Sequence, residues 1–260
     1  MDLATIIGLL VGFGALIATL FLEGGTLGSL FSLPAMVLIF GGTIGATMVG
    51  FRGGDLRKVP GLLSSAFLPK QQDPQDLIER IVRMAEKARR EGLLALQDDV
   101  ASLDNALLER GVQLIVDGTD PEIVRQTMEN QVDLQEERML NAAGIFDSAG
   151  GYAPTIGIIG TVMGLIKALG HMESPEALAH SISVAFLATL WGILTANLIW
   201  LPLGSKIKQN IHYDTLVGRM CITGVSGLQT GEAPRALREK LEVFLSEAVR
   251  RGPRRGGDDE

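Results

Sequence analysis

Hydroxyl, amide and proline residues interrupt two otherwise apolar stretches in the second half of the chain. One threonine in an apolar helix can satisfy its hydroxyl on a carbonyl of its own helix, so a single such residue carries little information. Several of them on two neighbouring stretches, with a proline in each, indicate a hydrated or mobile interface. These residues are Pro154, Thr155, Thr161, Thr189, Thr195, Asn197 and Pro202.

The apolar stretches contain no Asp, Glu, Lys or Arg. Ionisable side chains inside a membrane usually mark routes for protons or ions. If this chain takes part in ion conduction, the titrating carboxylate has to come from a partner protein.

Signatures of common enzymes are missing from the sequence. We find no HExxH, GxSxG or P-loop pattern, and no GxGxxG pattern after a strand. The three histidines, His171, His180 and His212, are too dispersed for a metal site, and the single Cys221 excludes an intrachain disulfide. The net charge of −7 argues against a nucleic-acid partner. We therefore expect no enzymatic activity, metal site or cofactor, and we expect Cys221 to be an inert buried thiol.

The charges are segregated from the apolar stretches. Hydrophobic residues make up 47% of the 260 residues, yet 20% are charged, and mean hydropathy is +0.27. A bilayer crossing needs about 20 apolar residues. The pattern predicts an all-α membrane protein rather than a soluble, disordered or disulfide-rich chain. The predicted transmembrane helices cover about residues 3–22, 33–51, 149–166 and 181–203.

Basic residues follow the second and fourth spans, and only Lys167 lies in the short loops. Because cytoplasmic loops carry an excess of Lys and Arg, the insert and both termini are predicted to be cytoplasmic. The basic residues are Arg52, Arg57, Lys58, Lys206 and Lys208. The predicted domains are a transmembrane hairpin (1–51), a cytoplasmic helical domain (52–147), a second hairpin (148–204), cytoplasmic C-terminal helices (205–249) and a disordered tail (250–260).

The cytoplasmic insert reads as helical. Asp73 and Pro74 mark one helix start, and Gly92 interrupts the pattern. A second helix is predicted from Leu93, with Gly111 at its end. Thr119 and Glu122 are spaced as a capping box at the start of a helix that runs into the third span. A further amphipathic helix is predicted over 233–249.

Four segments, in the correct order along the chain, resemble MotA-type flagellar stator subunits, and the likeness extends from residue 1 to about residue 250. Four spans rather than three separate this pattern from the related TolQ and ExbB proteins. The segments are Tyr152–Leu165, Ala185–Lys206, Arg89–Leu96 and Val116–Glu122.

The resemblance implies a pentameric ring around a dimer of MotB-like chains in the bacterial inner membrane. Each MotB-like chain has one span with an essential aspartate, which would supply the missing carboxylate, and a periplasmic peptidoglycan-binding domain. Ion flow past that aspartate would turn the ring, and the cytoplasmic domain would push on the rotor protein FliG.

Single residues take roles from the same resemblance. Pro154 matches a proline linked to gating, and Pro202 matches the fourth-helix proline. Thr189 matches a threonine that lines the ion path, and Thr161 matches a position at which sodium-driven relatives tend to have threonine. A hydroxyl there would replace part of a sodium ion's hydration shell, so sodium is favoured over protons as the transported cation.

The rotor-contacting arginine of the family matches Arg89, with Arg90 beside it. The acidic residue expected after the glycine is Gln97 here, and Asp98 or Asp99 is the candidate substitute. The predicted rotor-binding residues are therefore Arg89, Arg90, Gln97 and Asp98.

Two other classes of function remain open from the sequence. An energiser of the ExbB or TolQ kind, or a gliding-type motor, would use the same ion machinery to pull on an envelope protein. A passive membrane scaffold would use the prolines and threonines for packing alone.

Overall fold

The computed structural model describes residues 3–68, 72–100, 102–170 and 175–251, and side chains from residue 4 to residue 245. Regular structure in these residues is helical throughout. The chain divides into two compact units. One unit, here called the apolar unit, comprises Met1–Pro69 and Asn141–Lys208, and the other, the polar unit, comprises Lys70–Leu140 and Gln209–Glu260.

The helices are numbered in chain order. They are α1 (Leu3–Leu22), α2 (Leu33–Gly50), α3 (Val59–Phe67), α4 (Pro74–Glu91), α5 (Ala106–Val116), α6 (Pro121–Leu169), α7 (Pro175–Gln229) and α8 (Pro234–Arg251). Shorter helical turns cover Leu27–Leu30, Gly53–Leu56, Leu93–Leu96 and Gln97–Val100. Helices α2 and α7 each contain one π-helical turn, at Val37–Gly41 and Ala196–Trp200.

Four helices, α1, α2, α6 and α7, are long and apolar enough to cross a membrane. Helices α1 and α2 cover the first two predicted spans almost residue for residue. The third and fourth predicted spans, 149–166 and 181–203, lie inside the much longer helices α6 and α7. His171 lies outside the described residues, as do residues 252–260 of the predicted tail.

The polar unit has a core shared by residues from both of its segments. Helix α4 starts as predicted, because the carboxylate of Asp73 accepts a hydrogen bond from Gln75 N at 2.9 Å. Its apolar face is buried together with faces of α5, α6, α7 and α8. Leu237 and Leu241 of α8 are completely buried in that core. The C-terminal helix is therefore an integral part of the polar unit.

The second insert helix differs from the prediction. The chain makes two short turns after Gly92, and α5 begins after Asn105, whose side-chain oxygen accepts from the backbone N–H groups of Leu107 and Leu108. Gly111 does not end this helix but lies inside it. A Cβ at Gly111 would lie 2.7 Å from the side chain of Met128 and 2.8 Å from that of Val225. The glycine is therefore needed for close packing.

The start of α6 lies at Pro121, but a different residue caps it. The Asp120 carboxylate accepts a hydrogen bond from Glu122 N at 2.9 Å, so the predicted Thr119–Glu122 capping box is wrong. Asp120 takes the cap because a carboxylate directly before Pro121 reaches the free N–H groups of the first turn. The carbonyl of Thr119 instead accepts from Gln229 Nε2 at 2.7 Å.

Candidate functional site

The contact between α6 and α7 in the apolar unit is made of glycine and alanine. A Cβ at Gly192 would lie 2.6 Å from the carbonyl oxygen of Ala153, and one at Gly157 would lie 3.0 Å from the carbonyl oxygen of Ala188. Small residues let helix backbones approach this closely in an apolar environment. Gly160 and Gly164 sit equally close to alanines of α7, which agrees with the packing role that their spacing indicates.

Two hydroxyls meet across this contact. Thr161 Oγ1 of α6 and Thr189 Oγ1 of α7 share a hydrogen bond, in which either oxygen can donate. Thr161 Oγ1 also lies 3.2 Å from the carbonyl oxygen of Gly157 and 3.1 Å from that of Ala185. Thr189 Oγ1 lies 3.3 Å from the Gly157 carbonyl. Four oxygens thus converge at one half-buried point between the helices.

The other polar residues of these helices behave differently. Each of their side chains donates to a carbonyl of its own helix at 2.8 Å: Thr155 to Tyr152, Thr195 to Trp191 and Asn197 to Ile193. These contacts are the self-satisfied kind that any apolar helix tolerates. Among the described threonines of these helices, Thr161 and Thr189 are the pair whose side chains meet across the contact between α6 and α7.

Sequence reasoning missed the carbonyl oxygens of Gly157 and Ala185 that complete this cluster. The signal for them was the row of small residues at helical spacing on α7, comprising Ala185, Ala188 and Gly192. That row brings the α7 backbone against α6 and so exposes its carbonyls to the hydroxyls.

Both prolines interrupt the hydrogen-bond ladder of the helix that carries a threonine. Pro154 is half-buried inside α6, about two turns before Thr161. Pro202 is exposed just after the π-helical turn of α7. Because proline has no N–H, each leaves a carbonyl one turn earlier without its helical donor. The structure therefore does not place the prolines at the oxygen cluster but along the same two helices.

The predicted rotor-binding residues lie around the end of α4 in the polar unit. Arg89 and Arg90 are exposed, and neither makes an ion pair with any described residue. Gly92 then ends α4 with a φ of +87°, a conformation that favours glycine. Gln97 and Asp98 are exposed on the short helix that follows.

The structure distinguishes the two candidate acidic residues. Asp99 accepts a hydrogen bond from Lys87 Nζ at 2.9 Å, and this bond raises the pKa of the lysine. Asp98 instead faces solvent. Of the two, Asp98 is therefore the residue available to a partner.

The remaining candidates for chemistry are spread over the molecule. His212 Nδ1 lies 3.1 Å from a carboxylate oxygen of Glu136, and His180 is exposed on α7. Cys221 is completely buried, and burial raises the pKa of its thiol to about 12. Such a thiol is unreactive at neutral pH, as the sequence predicts.

Comparison with known proteins finds relatives that match nearly the whole chain. Residues 99–220 match the MotA/TolQ/ExbB proton channel family, and residues 6–92 match the family described as Motility protein A N-terminal. Motility protein A of Bacillus subtilis (strain 168) is 38% identical over 246 residues, which cover 94% of this chain and 91% of that protein. The chain belongs to the MotA/TolQ/ExbB proton channel family. The resemblance seen in the sequence is thereby confirmed.

Other relatives in the MotA/TolQ/ExbB family agree. Chemotaxis protein PomA of Vibrio alginolyticus is 34% identical over 250 residues, covering 96% of this chain and 98% of that one. A structure of C. jejuni MotAB superposes with a TM-score of 0.91 at 30% identity, over 98% of this chain and 100% of that one. The flagellar MotAB stator complex of Bacillus subtilis gives 0.86 at 37% identity, over 93% and 95%. The family is one of ion-channel components, not of enzymes.

Proposed function

We propose that this chain is the ion-conducting stator subunit of a bacterial flagellar motor. The full-length similarity to motility protein A and to MotAB structures supports this function. The match of residues 6–92 to the Motility protein A N-terminal family favours it over an ExbB- or TolQ-like energiser. In this proposal a pentameric ring surrounds a MotB-like dimer, and ion flow turns the ring against FliG. The transported cation is the only ligand, and no cofactor is involved.

The proposed arrangement places α1, α2 and the apolar parts of α6 and α7 across the bacterial inner membrane. The polar unit and both termini are cytoplasmic. The support is the excess of basic residues after the second and fourth spans, at Arg52, Arg57, Lys58, Lys206 and Lys208.

The oxygen cluster at Thr161 and Thr189 carries the proposed ion step. A cation that leaves water needs oxygens to replace its hydration shell, and hydroxyl and carbonyl oxygens serve that purpose in channels. The four oxygens of the cluster supply such ligands but no negative charge. The charge therefore has to come from the essential aspartate of the MotB-like partner. Because several oxygens converge, sodium is proposed as the cation rather than the proton.

The prolines suit the conversion of ion binding into movement. Each breaks the hydrogen-bond ladder of α6 or α7 and permits the helix to bend there. Pro154, two turns from the cluster, is proposed as the gating residue, and Pro202 as a coupling residue nearer the polar unit.

The test compares threonines whose hydroxyls bond across the helix contact with one whose hydroxyl bonds within its own helix. The chain and its MotB-like partner are expressed in cells without a stator, with Thr161→Ala, Thr189→Ala or the control Thr155→Ala. A contact to a charged group contributes about 1.5–3 kcal/mol, so each of the first two substitutions should lower ion flux about tenfold or more. Cells with Thr155→Ala should swim normally, because the hydroxyl that this substitution removes bonds within its own helix.

Two results would contradict this proposal in different ways. Normal swimming of both Thr161→Ala and Thr189→Ala cells, with the protein inserted in the membrane, would show that the oxygen cluster is not part of the ion path. Unchanged swimming speed after replacement of external sodium by potassium would exclude sodium coupling and leave the stator function intact.

A further inference from the structure

Three leucines follow Gly92, and the structure treats one of them differently. Leu96 is completely buried, and Leu93 packs against the core of the polar unit. Leu94 lies between them on the same helical turn and is 73% exposed. The side chain of Leu94 therefore contributes little to the packing of the core.

Charged and polar side chains lie on both sides of Leu94 along the chain. Arg89 and Arg90 precede it at the end of α4, and Gln97 and Asp98 follow it on the next turn, all of them exposed. An apolar centre with a polar rim is the usual anatomy of a protein–protein interface. Binding energy in such interfaces concentrates on a few central residues.

The segment that carries Leu94 is held in place before any partner arrives. The ion pair between Lys87 and Asp99, at 2.9 Å, ties the turn after Leu94 to α4. Arg80 lies 3.3 Å from the carboxylate of Asp104 and donates to the carbonyl of Ser102 at 3.4 Å. Because these contacts already order the segment, binding through Leu94 requires little further loss of conformational entropy.

We propose that Leu94 is the apolar anchor of the surface formed by Arg89, Arg90, Gln97 and Asp98. The partner that fits is a protein with an apolar pocket, bordered by carboxylates opposite the arginines and by a basic residue opposite Asp98. This inference rests on the proposed function, in which the rotor protein contacts this surface, and adds an apolar contact to it.

The test measures binding of purified FliG to the full chain in complex with its MotB-like partner. Leu94→Ser should weaken binding about tenfold or more, the usual effect of losing a central contact. Leu94→Met should restore it to within about threefold, because methionine fills apolar pockets of similar size. The matched control is Leu134→Ser on α6, a leucine that is 50% exposed and lies outside this surface.

Salt separates the apolar contact from the charged ones. Raising ionic strength should weaken the arginine contacts, as screening requires, while the ratio between Leu94 and Leu94→Ser affinities persists. The double variant Arg89→Ala/Arg90→Ala tests the charged surface itself.

Each contrary outcome has a distinct meaning. Loss of binding in the arginine variant with none in Leu94→Ser would overturn this inference and leave the rotor contact in place. No loss in either variant would overturn the proposed rotor contact as well. Dissociation of the oligomer by Leu94→Ser would place Leu94 between copies of this chain and overturn its role as an anchor for FliG.

Discussion

The difference between the threonines of α6 and α7 lies in which helix each hydroxyl reaches. Thr155 and Thr195 bond to carbonyls of their own helices. Thr161 and Thr189 bond to each other across the helix contact. The sequence singled out this pair only through family resemblance, whereas the geometry distinguishes it directly. The reason is that hydroxyl direction depends on the rotation of α6 against α7, which sequence spacing does not specify.

A titrating residue at this scale is Asp214 of the polar unit. It lines a cavity of about 310 Å³, and it keeps contact with solvent. Partial burial nevertheless raises the pKa of its carboxyl from 3.8 to about 6. Between these values the folded protein holds a proton that the unfolded chain has released. The free energy of unfolding should therefore fall as pH rises through this window and stay lower above it.

Replacement by asparagine should remove this effect. We expect Asp214→Asn to raise the apparent Tm in detergent at pH 7 and to flatten its dependence on pH between about 4 and 6. Asp133→Asn, at an exposed carboxylate on α6, is the control. An unchanged pH profile in Asp214→Asn would show that another group titrates there.

At the scale of elements, the apolar and helical patterns of the sequence predicted α1, α2, α4 and the joined helix α6 correctly, although Asp120 rather than Thr119 caps α6. They failed where a glycine had a tertiary role. The sequence predicts a helix end at Gly111, but Gly111 lies inside α5. It is a glycine there because Met128 and Val225 occupy the space that a side chain would need. A glycine that ends a helix and a glycine that admits a neighbour look alike in one sequence.

The contact between α6 and α7 gives a prediction for these elements. A methyl group at Gly192 would lie 2.6 Å from the carbonyl oxygen of Ala153, and a backbone atom cannot move away as a side chain can. Gly192→Ala should destabilise the apolar unit by about 1–3 kcal/mol, as overpacking does, and should disturb the Thr161–Thr189 pair. Thermal unfolding in detergent and ion flux measure the two effects.

The matched control is Gly151→Ala on α6. A Cβ at Gly151 meets nothing within 4 Å, so alanine there should be neutral or slightly stabilising. Equal stability of the two variants would mean that α6 and α7 lie further apart than the structure shows.

At the scale of the whole molecule, the polar unit is assembled from distant parts of the chain. Residues after Gln209 complete a core whose first member is Leu77. Helix α8 packs tightly on α7, since a Cβ at Gly227 would lie 2.5 Å from the side chain of Leu237. The C-terminal helix is thus a structural requirement for the unit that carries Arg89 and Leu94.

Truncation tests this requirement. A chain that ends at Glu232 loses Leu237 and Leu241, and each buried leucine contributes about 1.5–3 kcal/mol. We expect rapid proteolysis of the polar unit and loss of motility, while membrane insertion persists. A chain that ends at Arg251 keeps α8 and should behave as the full chain does. Normal motility of the shorter truncation would show that α8 is dispensable.

The sequence by itself determined the apolar stretches, their segregation from charge, the absence of an acidic residue within them and the family resemblance. These are properties of composition and order along the chain, and they are the same in any conformation. Only the tertiary structure decided which hydroxyls meet, which of Asp98 and Asp99 is already paired, and which of the three leucines after Gly92 faces solvent. Those outcomes depend on helix rotation and on contacts between residues far apart in sequence, where a displacement of one ångström or one helical position changes the partner.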